Sequence, residues 1–334
     1  MRSRITGTGS FTPDRVISNL ELADTLGTTA DWIEQRSGIQ ERRWVTGRTT
    51  TSDLAFEASV RAMETAGITA QDLDMILLAT ISPDHDFPGT ACFLQQRLHA
   101  PEIPAIDVRQ QCSGFIYALS MADLYIRAGQ AKTVLVVGAE IHSKGLDISP
   151  RGRDVSILFG DGAGAMVLEA IEAPSPEDSQ IYSTHIHSDG RGAKSLWAEA
   201  PGQAMAGHRI TVEDIEAGRH FPIMDGRRVF MNAVKRMPES IYEALDANGA
   251  KLDEVEWFFF HQANLRINEA VAKRLEIDGA RVFNTIARFG NTTAATIPLG
   301  IDTAVKEGAL STGQLVALST FGAGYTWGSA LLRF

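Results

Sequence analysis

Residues 103–129 read IPAIDVRQQCSGFIYALSMADLYIRAG, the segment from which the fold class can be inferred first. An apolar run from Ile103 to Val108 is followed by a polar segment and then by a long segment with helical apolar periodicity. The pattern predicts a strand, a tight turn and a helix, with Cys112 at the helix N-terminus. Unpaired N–H groups and the positive end of the helix dipole favour a thiolate there, which makes Cys112 a candidate nucleophile. The alternative is a small buried residue, as free cysteines usually are.

The composition is that of an ordinary globular protein. Of its residues, 44% are hydrophobic and 22% are charged. The length of 334 residues is enough for two domains or one duplicated unit. The net charge of −10 disfavours nonspecific binding to nucleic acid or to an anionic membrane. The two cysteines, Cys92 and Cys112, are too few for a disulfide framework, and we interpret Cys92 as a core residue. Because signal-peptide and membrane-spanning runs are absent, we expect a cytoplasmic protein without membrane insertion.

The second half of the chain repeats the pattern of the first. Gly67 and an acidic turn precede the apolar run MILLA, and Gly249 and a second acidic turn precede the run WFFF, 182 residues later. Such self-similarity indicates a duplicated unit. By the same comparison, Asn291, in the segment RFGNTTAAT, is predicted to occupy the position that duplicates Cys112.

The order of the elements predicts the fold class. Fully apolar strands that alternate with helices are typical of mainly parallel sheets covered by helices. We therefore predict an α/β protein of two similar halves, residues 1–172 and 173–334, which meet at the turn EAPSPED near residues 170–178. The polar, glycine-rich segment at about 188–224 breaks the pattern, and it is either an insertion that covers a site or a surface excursion.

Three residues are candidates for catalysis. A cysteine nucleophile needs a proton acceptor and groups that stabilise an oxyanion. His261 follows the run WFFF at the carboxyl edge of a predicted strand, where α/β folds place their active sites. A pseudo-twofold relation between the halves would make the turns of Cys112 and Asn291 face one another. Cys112, His261 and Asn291 are therefore the predicted catalytic set.

Other patterns have competing explanations. The glycines of GDGAGAM (160–166) resemble part of a dinucleotide loop, but strand residues follow where that motif requires a helix. His185, His187 and Asp189 suggest a metal site, although the spacing supplies no clear further ligand. Two groups of basic residues suit either a solvated face or an acidic or phosphorylated partner: Arg227, Arg228, Lys235 and Arg236, and Arg266, Lys273 and Arg274.

Seven motifs in order make the chain resemble one family. They are TGTGSFTPDRVISN, DWIEQRSGIQER, CSGFIYAL, FGDGAGAMVL, HQANLRI, GNTTAAT and FGAGYTWGSALLRF. The chain resembles β-ketoacyl-acyl carrier protein synthase III, a condensing enzyme of the thiolase-like superfamily. The resemblance implies a five-layered αβαβα fold of two duplicated halves, a homodimer, and an acyltransferase that needs no metal or cofactor.

The resemblance also implies a reaction. Cys112 would take an acyl group from acyl-coenzyme A, and His261 and Asn291 would serve the decarboxylation of malonyl-acyl carrier protein, donating hydrogen bonds to the thioester oxygen. The resulting enolate would attack the acyl-enzyme and give a 3-oxoacyl-acyl carrier protein, initiating fatty acid synthesis. The N–H groups of Cys112 and Ala323 would form the oxyanion hole. Phe87 and Phe321 would line the acyl pocket.

Further positions carry over from the family pattern. Met231 stands where a lysine contact to the carrier is expected, and Ala323 replaces the middle glycine of the final motif. The residues implied in coenzyme A binding are Thr28, Trp32, Arg36, Arg151, Gly226, Phe230, Ala263 and Asn264, with Trp32 and Arg151 holding the adenine. Those implied in carrier-protein docking are Gln262, Arg266 and Lys273.

We therefore expect a malonyl-carrier-dependent condensing enzyme with a short or medium primer such as acetyl. The first alternative is a related synthase with a longer primer or a secondary-metabolite acceptor. A noncatalytic acyl-binding module and a cysteine hydrolase are further alternatives. The absence of a cysteine after Cys112 disfavours thiolase chemistry, and Asn291 disfavours relatives that use two histidines.

Overall fold

Strands and helices alternate along the chain, and the structure, a computed structural model, describes residues 1–334. The strands are β1 Arg2–Phe11, β2 Val16–Ser18, β3 Glu41–Arg43, β4 Met75–Ala79, β5 Ala105–Val108, β6 Thr133–Glu140, β7 Gly162–Ile171, β8 Gln180–Ser188, β9 Leu196–Trp197, β10 Ile223–Met224, β11 Trp257–Phe260, β12 Leu315–Gly322 and β13 Thr326–Arg333. The helices are α1 Asn19–Leu26, α2 Ala30–Ser37, α3 Thr51–Ala66, α4 Thr90–Leu98, α5 Gly114–Arg127, α6 Arg153–Ser156, α7 Val212–Glu216, α8 Gly226–Asn248, α9 Leu265–Leu275, α10 Ile286–Phe289 and α11 Thr296–Lys306.

Two sheets have the same topology. The first has the order β1-β7-β6-β4-β5, and the second has the order β8-β13-β12-β11. Val282 pairs in parallel with Phe258 of β11, where β5 stands beside β4 in the first sheet. Gly67 and Gly249 end α3 and α8 with φ of 71° and 62°, a conformation that favours glycine, which explains why both repeats carry it. The predicted duplication is confirmed.

Three apolar cores define five layers. In β4, Leu77 faces a core shared with α5, α11 and the second sheet, whereas Leu78 faces α3 and α4. In β11, Phe259 faces the shared core, whereas Phe260 faces α8 and α9. Strands buried on both faces explain the continuous apolar runs MILLA and WFFF. The predicted αβαβα arrangement is confirmed, with α5 and α11 as its middle layer.

The segment at 188–224 contains ordered pieces of its own. β9 and β10 pair in antiparallel fashion, and the Ala200 N–H donates to the Arg219 carbonyl at 3.0 Å. The segment lies between β8 and α8, the same place that residues 12–50 occupy between β1 and α3 in the first half. The predicted boundary between the halves falls between β7 and β8.

Two findings concern the surface. Cys92 is exposed on α4, so its interpretation as a core residue was wrong. The buried apolar face of that helix contains Ala91 and Leu94 instead. None of the helices has both the length and the apolar character needed to cross a bilayer.

Candidate active site

The first site element is the turn that carries Cys112. Residues Gln111–Ser113 form a short 3₁₀ turn immediately before α5, and Gln111 adopts a φ of 45°. The second half of the chain holds this turn. Thr320 donates to the Cys112 carbonyl at 2.8 Å, and a Cβ at Gly322 would lie 3.0 Å from the sulfur. Cys112 therefore sits, 9% exposed, against the end of β12.

Burial dominates the electrostatics of the sulfur. Burial first, and then the Glu140 carboxylate, raise the pKa of Cys112 from 9.0 to about 12. That rise corresponds to about 4 kcal/mol, whereas a helix N-terminus supplies at most about 2 kcal/mol. The thiolate predicted for the resting protein is therefore wrong, because desolvation outweighs the dipole. The N–H groups of Ala323 and Cys112 act as donors to the sulfur and lower its pKa, which is the geometry of an oxyanion hole.

The second site element is the turn before α11. Thr293 begins a 3₁₀ turn with a φ of 48°, just as Gln111 does with 45°. If these two residues are equivalent in the two halves, the equivalent of Cys112 is Ala294. The predicted pairing of Cys112 with Asn291 is thus wrong by three residues, because Asn291 precedes the turn. The two turns pack together, since a Cβ at Gly114 would lie 3.6 Å from that of Ala294.

Hydrogen bonds link His261 to Asn291 through this second turn. His261 Nδ1 lies 2.8 Å from Thr296 Oγ1, which donates to the Thr293 carbonyl at 3.0 Å. The Thr293 N–H in turn donates to Asn291 Oδ1 at 2.8 Å. Asn291 thus uses its oxygen within the turn, and its Nδ2 group is left as a donor for a ligand. Cys112 therefore lies on one turn, and His261 and Asn291 are hydrogen-bonded to the second turn that packs against it.

The protonation of His261 follows from these contacts. Burial, and next the neighbouring His142, lower the pKa of His261 to about 3, so the ring is neutral. The Thr296 hydroxyl donates its single proton to the Thr293 carbonyl, so it can only accept from His261. We therefore assign the ring proton to His261 Nδ1. His261 Nε2 is buried without a partner and bears a lone pair. It accepts a proton in the resting protein, and it donates to an oxyanion only after taking one.

The residues implied in coenzyme A binding gather on one side of the structure. The Arg36 and Arg153 guanidinium carbons lie 4.6 and 4.9 Å from the Trp32 ring centroid. Asn264 caps α9 and donates to the Arg36 carbonyl at 2.8 Å, which joins the two halves there. Thr28 is half-buried just before α2, Ala263 precedes Asn264, and Gly226 and Phe230 lie in the first turns of α8.

Arg151 does not pair with Trp32 as the family pattern implies. Its Nε binds Asp147 Oδ2 at 2.5 Å, and its guanidinium carbon lies 5.5 Å from the Phe221 ring. Phe221 belongs to the segment at 188–224, so that segment contacts the coenzyme A side of the structure.

Some predicted contacts are placed differently. Gln262 is 3% exposed, and its Oε1 accepts the N–H of Thr285 at 3.1 Å, so its assignment to carrier docking was wrong. Phe87 is 83% exposed between β4 and α4, so its ring is not buried within its own chain. Phe321 is buried beside Tyr325, with ring centroids 4.9 Å apart. Arg266 and Lys273 are exposed on α9, and Met231 is exposed on α8.

Four site residues escaped sequence reasoning. Glu140 ends β6 and His142 follows it, and nothing in GAEIHSKG distinguishes them. Thr293 and Thr296 lie in the motif GNTTAAT, where a close reading of the whole motif rather than of Asn291 alone would have found them.

The alternative patterns have structural explanations. Gly162 and Gly164 lie in β7, and a Cβ at Gly164 would meet backbone at 2.4 Å, so close packing accounts for them. Asp189 binds Arg191, whereas His185 and His187 both pair with Glu243. No group of three or more histidine, cysteine or acidic side chains is arranged to hold a metal ion.

Comparison with known proteins assigns the chain to a family. A family model described as 3-oxoacyl-[acyl-carrier-protein (ACP)] synthase III matches residues 106–190, and one for its C-terminal part matches residues 245–334. The chain is 46% identical over 332 residues to beta-ketoacyl-[acyl-carrier-protein] synthase III of Xanthomonas campestris pv. campestris, covering 99% of this chain and 98% of the relative. It is 43% identical to the same enzyme of Thioalkalivibrio sulfidiphilus, covering 99% of each.

Solved structures of similar proteins support the same family. The 3-oxoacyl-[acyl-carrier-protein] synthase III of Aquifex aeolicus VF5 has a TM-score of 0.89 at 38% identity, covering 99% of this chain and 100% of that one. The priming β-ketosynthase of the R1128 polyketide pathway has a TM-score of 0.91 at 33% identity, covering 99% and 96%. The chain therefore belongs to the 3-oxoacyl-[acyl-carrier-protein] synthase III family and is a condensing acyltransferase that initiates fatty acid synthesis.

Proposed function

We propose that this enzyme transfers the acyl group of an acyl-coenzyme A primer to Cys112 and condenses it with malonyl-acyl carrier protein. The products are 3-oxoacyl-acyl carrier protein, carbon dioxide and coenzyme A. One observation carries the proposal: a buried sulfur with two N–H donors lies on a turn packed against the turn that links His261 and Asn291.

In the first half-reaction, His261 Nε2 takes the proton of the Cys112 thiol. The sulfur attacks the primer carbonyl, and the tetrahedral oxyanion accepts hydrogen bonds from the N–H groups of Cys112 and Ala323. Coenzyme A leaves as its thiolate, which solvent protonates. The raised pKa of Cys112 means that the thiolate forms only as the substrate arrives, which protects the empty enzyme from unwanted alkylation or oxidation.

In the second half-reaction, the malonyl group loses carbon dioxide and leaves an enolate on the carrier thioester. Asn291 Nδ2 and the protonated His261 Nε2 donate to the enolate oxygen as charge develops. The enolate carbon attacks the acyl group on Cys112, and a carbon–carbon bond replaces the carbon–sulfur bond. The Cys112 thiolate then recovers its proton from His261, which closes the cycle.

Substrate binding follows the charges. Trp32, Arg36 and Arg153 offer an aromatic ring and two guanidinium groups to the nucleotide of coenzyme A. Arg266 and Lys273, exposed on α9, suit an acidic carrier protein, whereas Gln262 is an internal support for the backbone at Thr285 and Ile286. A homodimer in the cytoplasm, with no resident cofactor, remains part of this proposal.

The test is intact-mass spectrometry on a Cys92→Ser background, which removes the exposed second thiol. We expect one acyl adduct from the preferred member of a panel of acyl-coenzyme A primers, and its conversion to 3-oxoacyl carrier when malonyl-acyl carrier protein is added. Cys112→Ala should form no adduct, and Asn291→Ala should form the adduct without condensing it. An adduct that survives in Cys112→Ala, or release of free acid without a malonyl donor, would refute the proposal.

The same panel decides the alternative. The similarity to a polyketide priming synthase favours a longer or secondary-metabolite primer as the second candidate. That candidate predicts a larger adduct mass on Cys112 than acetyl.

A further inference from the structure

The proposed reaction leaves one histidine at the site unused. His142 follows β6, and its ring lies against Phe159 with centroids 4.6 Å apart. Its backbone N–H donates to Asp161 Oδ1 at 2.7 Å, which holds the backbone of His142 in place. Burial lowers the pKa of His142 to about 3, so the ring is neutral and acts through hydrogen bonds alone.

The partner of His142 is the hydroxyl of Thr293. His142 Nε2 lies 2.7 Å from Thr293 Oγ1. Thr293 is 1% exposed and has a φ of 48°, in the left-handed region that a β-branched residue rarely adopts. Such a conformation persists only where the surroundings hold it, and the His142 contact is the tether of the Thr293 side chain.

Both backbone groups of Thr293 serve the condensing residues. Its N–H fixes Asn291 Oδ1, which aims Nδ2 away from the turn. Its carbonyl accepts from Thr296, whose hydroxyl orients the ring of His261. Thr293 is therefore the common support of the two residues that face the malonyl group.

We propose that His142 is a positioning residue for carbon–carbon bond formation, acting through Thr293 on Asn291 and, less directly, on His261. The inference rests on the proposed function and deepens it. The Cys112 turn is held separately, by Thr320 and by the bond from Ser113 Oγ to the Thr326 carbonyl. Loss of His142 should consequently disturb the second half-reaction far more than the first.

The test separates the two half-reactions in single-turnover experiments on the full-length enzyme. His142→Phe keeps a ring against Phe159 but removes the nitrogen. We expect it to acylate Cys112 at a rate within about threefold of the parent enzyme and to condense the preloaded acyl-enzyme about 100-fold more slowly, the effect of a misplacement of about 1 Å. KM for malonyl-acyl carrier protein should stay near its parent value, because the carrier surface is untouched.

Two variants control for a merely structural role. His142→Gln places a hydrogen-bonding group where Nε2 stood and should recover most of the condensation rate. His185→Phe changes a half-buried histidine remote from the turns, bonded to Ser183 and Glu243, and should leave both rates unchanged. Thr293→Val removes the other half of the same hydrogen bond, so it carries the test if His142→Phe does not fold, and the two changes together should be no worse than either alone.

The outcomes are distinguishable. Equal losses in acylation and condensation, no loss at all, or additive effects of His142→Phe and Thr293→Val would each overturn the positioning role. Failure of the parent enzyme itself to condense would refute the proposed function instead.

Discussion

At the scale of single residues, contacts with remote parts of the chain set the environment of Cys112. The position of Cys112 before a helix could be predicted from the apolar pattern, since local periodicity determines where the helix begins. The pKa could not, because burial depends on β12, more than 200 residues away in the chain, and on Glu140. The same reason hid the role of Gln262, whose buried carboxamide supports a distant turn.

Glu140 offers a test of the sulfur's environment. Its buried carboxyl accepts the N–H of Ile81 at 3.1 Å and the hydroxyl of Ser82 at 2.5 Å, and burial raises its pKa to about 7. It is therefore charged above that pH and disfavours a thiolate at Cys112. In Glu140→Gln the pKa of Cys112 should fall, and alkylation by iodoacetamide at pH 9 should speed up by as much as about tenfold, the effect of one pKa unit.

The measurement is the pH dependence of alkylation from pH 7 to 10 on the Cys92→Ser background. Asp123→Asn is the matched control, because Asp123 is another buried carboxyl with a raised pKa, but it lies near the C-terminal end of α5. An unchanged profile in Glu140→Gln, or an equal change in Asp123→Asn, would contradict the account.

At the scale of elements, the two turns show what a repeat in the sequence reveals. Gly67 and Gly249, and the strands β4 and β11 that follow them, repeat at a spacing of 182 residues, and this duplication was predicted correctly. The pairing of Cys112 with Asn291 was not, although the same spacing matches Gln111 with Thr293, the residue with positive φ in each turn. Neither residue is a glycine, which would have marked the positive φ in the sequence, so the constant spacing is the signal that locates the two turns.

The approach of β12 to the first turn predicts a severe effect from one methyl group. A Cβ at Gly322 would lie 2.5 Å from Cys112 Cβ, and 3.2 Å from its backbone nitrogen, so the turn must move. Gly322→Ala should slow acylation of Cys112 by about 10- to 100-fold and lower the free energy of unfolding by about 1–3 kcal/mol. Acylation kinetics and denaturant unfolding measure the two effects.

Gly300→Ala is the control for this prediction. Gly300 lies inside α11, and a Cβ there would meet Phe259 at an ordinary 3.7 Å. The change should stabilise the protein by about 0.5–1 kcal/mol, as alanine does in a helix interior, and leave acylation unaffected. A Gly322→Ala enzyme that acylates at the parent rate would show that β12 does not set the position of the sulfur.

At the scale of the whole molecule, the two halves share one apolar core between the sheets, and we expect them to unfold as one unit. The apolar patterns predicted two similar halves, and the family resemblance supplied their arrangement in five layers. Neither gave the polar contacts between the halves, because hydrogen bonds between remote residues have no periodicity. Asp302 of α11 is the clearest case: it is 1% exposed and accepts from Thr8 at 3.0 Å and from Ser10 at 2.5 Å, both in β1.

Asp302→Ala should therefore weaken both halves together. It leaves the hydroxyl groups of Thr8 and Ser10 without their acceptor, and the buried one, that of Thr8, alone costs about 1–3 kcal/mol. Hydrogen exchange measured by mass spectrometry should show peptides of α5 and of α11 losing protection by the same amount, because both helices lie in the one core between the sheets. Lys306→Ala, which removes the exposed cation beside Asp302 but leaves both hydroxyl bonds in place, should cost less than Asp302→Ala. Loss of protection confined to the second half would mean that the halves unfold separately, and that the site they share is assembled by docking rather than by folding.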